Sequence, residues 1–247
     1  MIYAIIPARS GSQRIKNKNI KNFFGKPTIY YPIKESKKAK IFDRIIVSTD
    51  SNKIVNISKN YGAECPFLRP KKLSGPKTIT ADVILHAVKR LKLKNDDYIC
   101  CIYPTSVFLN AKELIAGFKK LKKSNYDGCI SVTKYDFPIQ RSMHKKNDNV
   151  FFNYKKYVNY RSQSLVKNYH DAAQFYWFKV KSFLKHKSLY PKKLKGIEIS
   201  SINIQDIDKT QIQELLKLAE EETSKPEIND QSKYLVDQKI EVLKSLN

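Results

Sequence analysis

The sequence predicts an α/β fold, a mainly parallel sheet with helices over both faces. Three observations predict it. Short apolar runs alternate with helix-period segments through residues 1–130, which is the spacing of strand–helix–strand units. The runs at 2–7 and 98–103 are continuously apolar, as buried strands are. The first run breaks into a small, polar, basic loop, and α/β sheets bind phosphates at such a strand end.

Taken in order, the strand at 2–7 leads into Arg9, Ser10, Gly11, Ser12, Gln13, Arg14, Lys16 and Lys18. A helix is expected over 27–39, with Pro27 in its first turn, where a missing N–H costs nothing. A second strand occupies 43–49. Asp50 and Ser51 offer a cap for a helix that stops near Tyr61-Gly62, glycine tolerating the left-handed turn of a helix end. Residues 64–68 read as a third strand closed by Arg69-Pro70, and 71–78 as a loop around Gly75-Pro76. An amphipathic helix over 80–92 precedes the strand at 98–103, whose Cys100 and Cys101 face opposite sides. A helix over 111–123 and a strand over 128–133 follow.

The pattern then changes. Residues 134–160 are aromatic and polar, with turn signals and no helix period, and read as hairpins or an excursion from the sheet. The aromatic run 169–178 is a strand or strand-turn, followed by a helix near 180–186. A strand over 197–204 is expected to run into Gln205-Asp206-Ile207-Asp208, then a helix over 209–222. The main domain spans 1–222. Residues 223–247 read as a linker around Pro226 and an amphipathic helix with Val236, Ile240 and Leu243 on one stripe.

The chain of 247 residues is long enough for one sizeable core, and 41% apolar content is globular rather than disordered. No apolar run approaches the ~20 residues of a membrane span. The N-terminus enters a strand with no basic n-region or cleavage site, so a cytoplasmic protein is expected. The four cysteines, Cys65, Cys100, Cys101 and Cys129, show no C-x-x-C spacing and read as reduced thiols rather than a zinc site. The formal charge of +24 invites a nucleic-acid reading. However, only seven of the 47 basic residues are arginine, and the lysines are dispersed rather than blocked. Heavy use of Lys, Asn and Ile points to AT-rich coding, so the expectation is solvated lysines and neither a nucleic-acid nor a membrane partner. Arg9, Arg14, Arg69 and Arg161 fall in segments that carry chemistry, and arginine supplies a planar fork that lysine lacks.

Two constellations stand out. Gly11 between Ser10 and Ser12 lets a ligand approach the backbone, while Arg9, Arg14 and Lys18 supply charge for a nucleoside triphosphate. The spacing is neither a P-loop nor G-x-G-x-x-G, and by itself it is equally a polar turn. Asp206 and Asp208 lie at i and i+2 of a strand end, on one face, and a bridging Mg2+ would relieve their repulsion. Alternatively, Asp206 caps the next helix and Asp208 sits in its first turn. Tyr103-Pro104-Thr105-Ser106 and Arg161-Ser162-Gln163 are polar breaks that line a pocket or simply turn. The aromatics of 169–178, Tyr169 among them, contact a sugar or pack in the core. His86 reads as a structural histidine, and His170 beside Asp171 as the better candidate for a polar role.

Taken together, Ile5-Ile6-Pro7-Ala8-Arg9-x-Gly11-Ser12 with Lys18-Asn19, Val47-Ser48-Thr49-Asp50, Phe67-Leu68-Arg69-Pro70 and Pro104-Thr105-Ser106 resemble, in order, the blocks of the sugar-acid cytidylyltransferases, the CMP-sialic acid synthetase group. Cys101-Ile102-Tyr103, Tyr160-Arg161-Ser162-Gln163 and the run Tyr169-His170-Asp171-Ala172-Ala173-Gln174-Phe175-Tyr176-Trp177 are most similar to the pseudaminic acid cytidylyltransferase branch. The resemblance covers about 1–220. Two positions depart from it: Gln13 stands where the family has lysine, and Lys16 where it has proline.

The resemblance implies a three-layer, Rossmann-like fold of the nucleotide-diphospho-sugar transferase type, with a protruding segment at 134–165 that forms a homodimer. It implies CTP and a nine-carbon 2-keto sugar acid as substrates and Mg2+ as cofactor, giving the CMP-sugar and pyrophosphate. Arg9, Lys18 and Asp208 are then the catalytic candidates. Ala8, Arg9, Gly11, Ser12, Arg14, Lys18, Asn19 and Arg69 would bind CTP. Tyr103, Thr105, Arg161, Gln163, Tyr169 and Gln174 would bind the sugar acid, and Asp206 and Asp208 the metal. Pseudaminic acid is the favoured acid. N-acetylneuraminic, legionaminic and 3-deoxy-octulosonic acids are the alternatives, and a basic nucleic-acid-binding protein is the alternative of another class.

Overall fold

A computed structural model describes residues 1–204 except Gln13, Arg14, Lys16 and Phe24. Strand β1 (Ile2–Pro7) leads through the basic loop to a short ladder of β2 (Asn22–Phe23) and β3 (Lys26–Pro27), then to α1 (Tyr30–Ala39). β4 (Arg44–Ser48), α2 (Asn52–Asn60), α3 (Thr80–Arg90), β5 (Tyr98–Ile102), α4 (Ala111–Lys122) and β6 (Gly128–Lys134) follow. After an exposed hairpin of β7 (Met143–Lys146) and β8 (Asn149–Phe152), the chain returns as β9 (Tyr169–Lys179), α5 (Val180–His186) and β10 (Leu194–Glu198).

Among the described residues the main sheet is six-stranded, in the order β10-β6-β9-β5-β1-β4. β1 pairs in parallel with β4 and β5, and β10 with β6, while β9 runs antiparallel between β5 and β6. The reversal follows from connectivity. A parallel neighbour needs a crossover helix, whereas the chain leaves β6 into the excursion and comes back without one.

Alternation along the strands feeds two cores. Ala4, Ile6, Cys100, Ile102, Phe175 and Trp177 pack on one face with α1 and α4. Tyr3, Ile5, Ile99, Cys101, Tyr176 and Phe178 pack on the other with α3 and α5. Cys100 and Cys101 therefore do face opposite sides. Burial raises both thiols and pushes Cys129 up to about 11, so all three are protonated at neutral pH. Cys65 is half-buried, and none of the four cysteines is in a disulfide. No described helix is long and apolar enough to cross a membrane.

Several expected boundaries shift. α1 begins at Tyr30, and Pro27 instead pairs with Asn22 in the short ladder. The proline of the first helical turn is Pro32. Residues 64–68 make only isolated bridges, Glu64 to Ile46 and Leu68 to Thr49, rather than a strand. The strand expected at 197–204 lies earlier, at Leu194–Glu198, and a 3-10 turn occupies Ser201–Asn203. Ser51 caps α2 without a side-chain bond. Gly62 does stop that helix at φ +88°: its N–H donates to the Lys59 carbonyl, and that of Ala63 to Ser58, the paired bonds of a left-handed helix end. The helices at 209–222 and 232–246, and the linker between them, lie outside the described residues.

Candidate active site

β5, β1 and β4 are adjacent and parallel, so their carboxyl ends share one edge. The loops after Pro7, Ser48 and Ile102 therefore converge there, which is where open α/β sheets hold ligands. Hydrogen bonds hold the described residues at both ends of the basic loop. Asp50 accepts both the backbone N–H (2.9 Å) and the hydroxyl (2.8 Å) of Ser10. The Ser12 N–H donates to the Ser10 carbonyl. The Asn19 amide donates to the Arg9 carbonyl at 2.8 Å, and Thr28 Oγ1 to the Lys18 carbonyl at 2.7 Å. Arg9 Nη1 donates to the Gly75 carbonyl at 2.9 Å and ties the 71–78 loop over the strand ends.

These loops enclose a cavity of about 450 Å³ whose walls include Arg9, Ser12, Lys18, Asn19 and Arg69, closed by Gly75, Pro76, Thr78 and Thr80. Arg69 is buried. Its N–H donates to the Thr49 carbonyl and its Nε to Ser74 Oγ. Burial lowers its pKa, Asp50 opposes that shift and Arg9 adds to it. An arginine in this setting still carries its charge, so the cavity holds concentrated positive potential suited to an anionic ligand.

A second cavity of about 420 Å³ shares Lys18, Tyr103 and Thr105 with the first. Its far wall is His170, Asp171, Ala172, Ala173 and Gln174 from β9, with Asn203 and Ile204. The Tyr103 hydroxyl lies 3.2 Å from Thr80 Oγ1, and burial raises its pKa. His170 Nδ1 lies 3.0 Å from the Asp171 carbonyl oxygen.

Of the residues expected to bind CTP, Arg9, Ser12, Lys18, Asn19 and Arg69 meet at the first cavity. Ala8 is buried behind it and Gly11 is exposed on the loop. Of those expected to bind the sugar acid, Tyr103 and Thr105 line both cavities and Gln174 the second. Tyr169, Arg161 and Gln163 line neither. Glu198 beside Tyr169 raises the pKa of its phenol, and the other two are exposed on the excursion after β8. Arg14, Asp206 and Asp208 lie outside the described residues, among which no three His, Cys, Asp or Glu groups converge to hold a metal. His86 lines neither cavity. It packs edge-on to Phe67, and burial lowers its pKa, helped by Arg90, Arg69 and Lys72.

Sequence reasoning did not assign a site role to Thr80, Gly75, Thr78 or Asn203. The Gly75-Pro76 turn signal marks that loop, but nothing local says that it folds over Arg9. Asp50, read as a helix cap, instead anchors Ser10 of the basic loop.

A family model described as cytidylyltransferase matches residues 3–240. The pseudaminic acid cytidylyltransferase of Campylobacter jejuni (serotype O:2) is 34% identical over 217 residues, covering 87% of this chain and 94% of that protein. A Helicobacter pylori protein is 37% identical over 205 residues, 83% of this chain. It is named pseudaminic acid cytidylyltransferase and UDP-2,4-diacetamido-2,4,6-trideoxy-beta-L-altropyranose hydrolase, and the match spans only 40% of its length. Among solved structures, a CMP:2-keto-3-deoxy-manno-octonic acid synthetase complexed with CTP superposes with a TM-score of 0.64 at 11% identity, over 90% of this chain and 99% of that one. That likeness concerns the fold, which is of the Rossmann-like nucleotidyltransferase type. With the family match running nearly end to end and a relative aligned over almost its whole length, the chain belongs to the cytidylyltransferase family.

Proposed function

We propose that the chain condenses CTP with pseudaminic acid to give the CMP-sugar and pyrophosphate. The observation that carries this reading is the pair of abutting cavities, one cationic and one walled by β9, which meet at Lys18, Tyr103 and Thr105. A reaction that joins two substrates needs two such compartments with a common border. The names of the Campylobacter and Helicobacter relatives support the sugar.

In this reading Arg9, Ser12 and Lys18 hold the triphosphate, with Gly11 keeping the loop open and Arg14 adding charge. Ala8, Asn19 and Arg69 shape the nucleotide pocket. The sugar's anomeric hydroxyl attacks the α-phosphorus; the new P–O bond forms as the bond to pyrophosphate breaks, and the hydroxyl proton leaves to solvent or a base. Fixed cations aimed at the phosphates stabilise the charge that develops. Asp206 and Asp208 follow Ile204, a residue of the second cavity. As hard oxygen donors they suit Mg2+, which would supply further charge neutralisation at the phosphates. The exposed apolar side chains of the excursion, Phe137, Val150, Phe151 and Tyr154, support a homodimer through 134–165.

The test is a panel of pseudaminic, N-acetylneuraminic, legionaminic and 3-deoxy-octulosonic acids, each with CTP and Mg2+, read by pyrophosphate release and product mass. The expected result is the highest kcat/KM with pseudaminic acid. A different preferred acid overturns the sugar, and no release with any acid overturns the reaction.

A further inference from the structure

The loop after β1 and the segment after β4 meet at a single peptide group, the plane that joins Arg9 to Ser10. Both of its edges are held. Its carbonyl accepts the Asn19 amide at 2.8 Å, and its N–H donates to Asp50 Oδ1 at 2.9 Å. The second oxygen of the same carboxylate, Oδ2, accepts the Ser10 hydroxyl at 2.8 Å. The residues before Asp50 are anchored in turn. Ser48 and Thr49 are buried; the Ser48 carbonyl accepts the Ala8 N–H at 2.9 Å, and the Thr49 carbonyl accepts the Arg69 N–H at 2.7 Å. Asp50 therefore reaches out from the edge of the sheet and clamps the backbone and the side chain of Ser10 together.

The clamped residue stands between two that wall the cationic cavity. Arg9 precedes Ser10 and Ser12 lies two residues beyond it, and both line that cavity, as do Asn19 and Arg69. The Ser12 N–H closes a tight turn onto the Ser10 carbonyl at 3.1 Å. Electrostatics alone would keep a carboxylate away from this place. The charge of Asp50 is felt at Arg69, where it opposes the fall in pKa that burial causes, and the same charge repels the phosphates that Arg9 and Arg69 attract. Geometry accounts for its presence. Donors already fixed in place need no ordering when a ligand arrives, and so bind it better than mobile ones.

We infer that Asp50 is a positioning residue for the triphosphate: by clamping the Arg9–Ser10 peptide it holds Arg9 and Ser12 at the spacing the phosphates require. This rests on the function proposed above and adds a residue that acts through Ser10. Charge and position predict opposite outcomes. If the charge of Asp50 dominates, removing it tightens CTP binding; if its bonds dominate, removing them weakens it.

The experiment is calorimetric titration of the full chain with CTP and Mg2+, with steady-state pyrophosphate release as the second reading. The variants are Asp50→Ala, Asp50→Asn, Ser10→Ala and the Asp50→Ala/Ser10→Ala double variant. Asp50→Ala loses both bonds and raises Kd and KM for CTP about tenfold or more, the worth of hydrogen bonds to a charged group. KM for the sugar acid stays within about twofold, since the clamp touches only the first cavity's loop. Asp50→Asn keeps an oxygen for the Ser10 N–H and offers an amide that donates to Ser10 Oγ, so it stays within about threefold of wild type. Ser10→Ala keeps the N–H bond and gives a smaller rise; it decides the matter if Asp50→Ala does not fold. The double variant is no worse than Asp50→Ala, because both changes act on one clamp. Unchanged or tighter CTP binding in Asp50→Ala, or in Ser10→Ala where Asp50→Ala does not fold, overturns the inference while the reaction stands. So does an Asp50→Asn loss as large as that of Asp50→Ala, or an equal rise in KM for the sugar acid. A wild type that binds CTP but releases no pyrophosphate with any sugar acid overturns the reaction, and the binding constants still decide the role of Asp50. A wild type that does not bind CTP overturns both.

Discussion

Replacing Gly117 with alanine sets two effects of known size against each other. Gly117 lies inside α4, and a Cβ there would meet Trp177 Cδ1 at 2.9 Å, Trp177 Nε1 at 3.1 Å and Phe175 Cε2 at 3.1 Å. Alanine in a helix interior is favoured over glycine by about 1 kcal/mol. Overpacking a rigid core costs roughly 1–3 kcal/mol. Here the upper part of that range applies, because neither ring can yield. Both are fully buried, and Trp177 stacks on Phe42 at 5.3 Å and 2° and packs against Phe118 at 5.2 Å. The expected net loss is about 1–2 kcal/mol, a fall in Tm of about 2–8 °C for a protein of this size. Thermal unfolding by circular dichroism and a urea titration with unchanged slope would measure it. A variant as stable as wild type, or more so, would show that β9 can slide away from α4 and that the packing argument is wrong.

Three further outcomes are expected. Asp208→Ala removes most CMP-sugar formation at ordinary Mg2+ while the melting curve holds; near-normal turnover would rule out the metal assignment. Arg69→Lys raises KM for CTP about tenfold, the loss of a charge-assisted hydrogen bond that a lysine cannot remake from this buried position, and unchanged CTP kinetics would make Arg69 purely structural. Asp127 accepts Ser182 Oγ at 2.8 Å and lies 3.4 Å from His186 Nε2; the Ser182 bond, then His186, holds its pKa below the usual carboxylate value. A depressed folded-state pKa adds stability that is present above the unfolded value near 3.9 and lost as pH falls through the folded one. Asp127→Asn is therefore about 1 kcal/mol less stable at pH 7, with the gap closing in strong acid; a gap independent of pH would discard the linkage.

The legible part of the fold was the part governed by local pattern. β1, α3, β5, α4 and β6 lie close to where hydrophobic period places them, since burying one face imposes a repeat of 2 or 3.6 on neighbouring residues. Boundaries failed where proline or a short ladder competed, at Pro27 and at 64–68. In the cavities, Arg9, Ser12 and Lys18 were marked by the polar, basic loop that follows β1, whereas Asn19 and Arg69 were marked by the resemblance to the cytidylyltransferase blocks. Thr80 and Asn203 carry no such mark, and Arg161 and Gln163 carried one yet stand apart on the excursion.

By itself the sequence determined the alternation of elements through the first half of the chain, the two apolar faces of the central strands β1 and β5 and the basic loop at the end of β1, because all three are written within a few residues of one another. Only the tertiary structure decided that β9 runs antiparallel between β5 and β6 and bulges at 172–175. It alone brought Gly75 onto Arg9, and Tyr190 onto Asp171. Those outcomes depend on hydrogen bonds between segments tens of residues apart or on the pairing of whole strands, and no periodicity in the chain encodes which distant donor meets which acceptor.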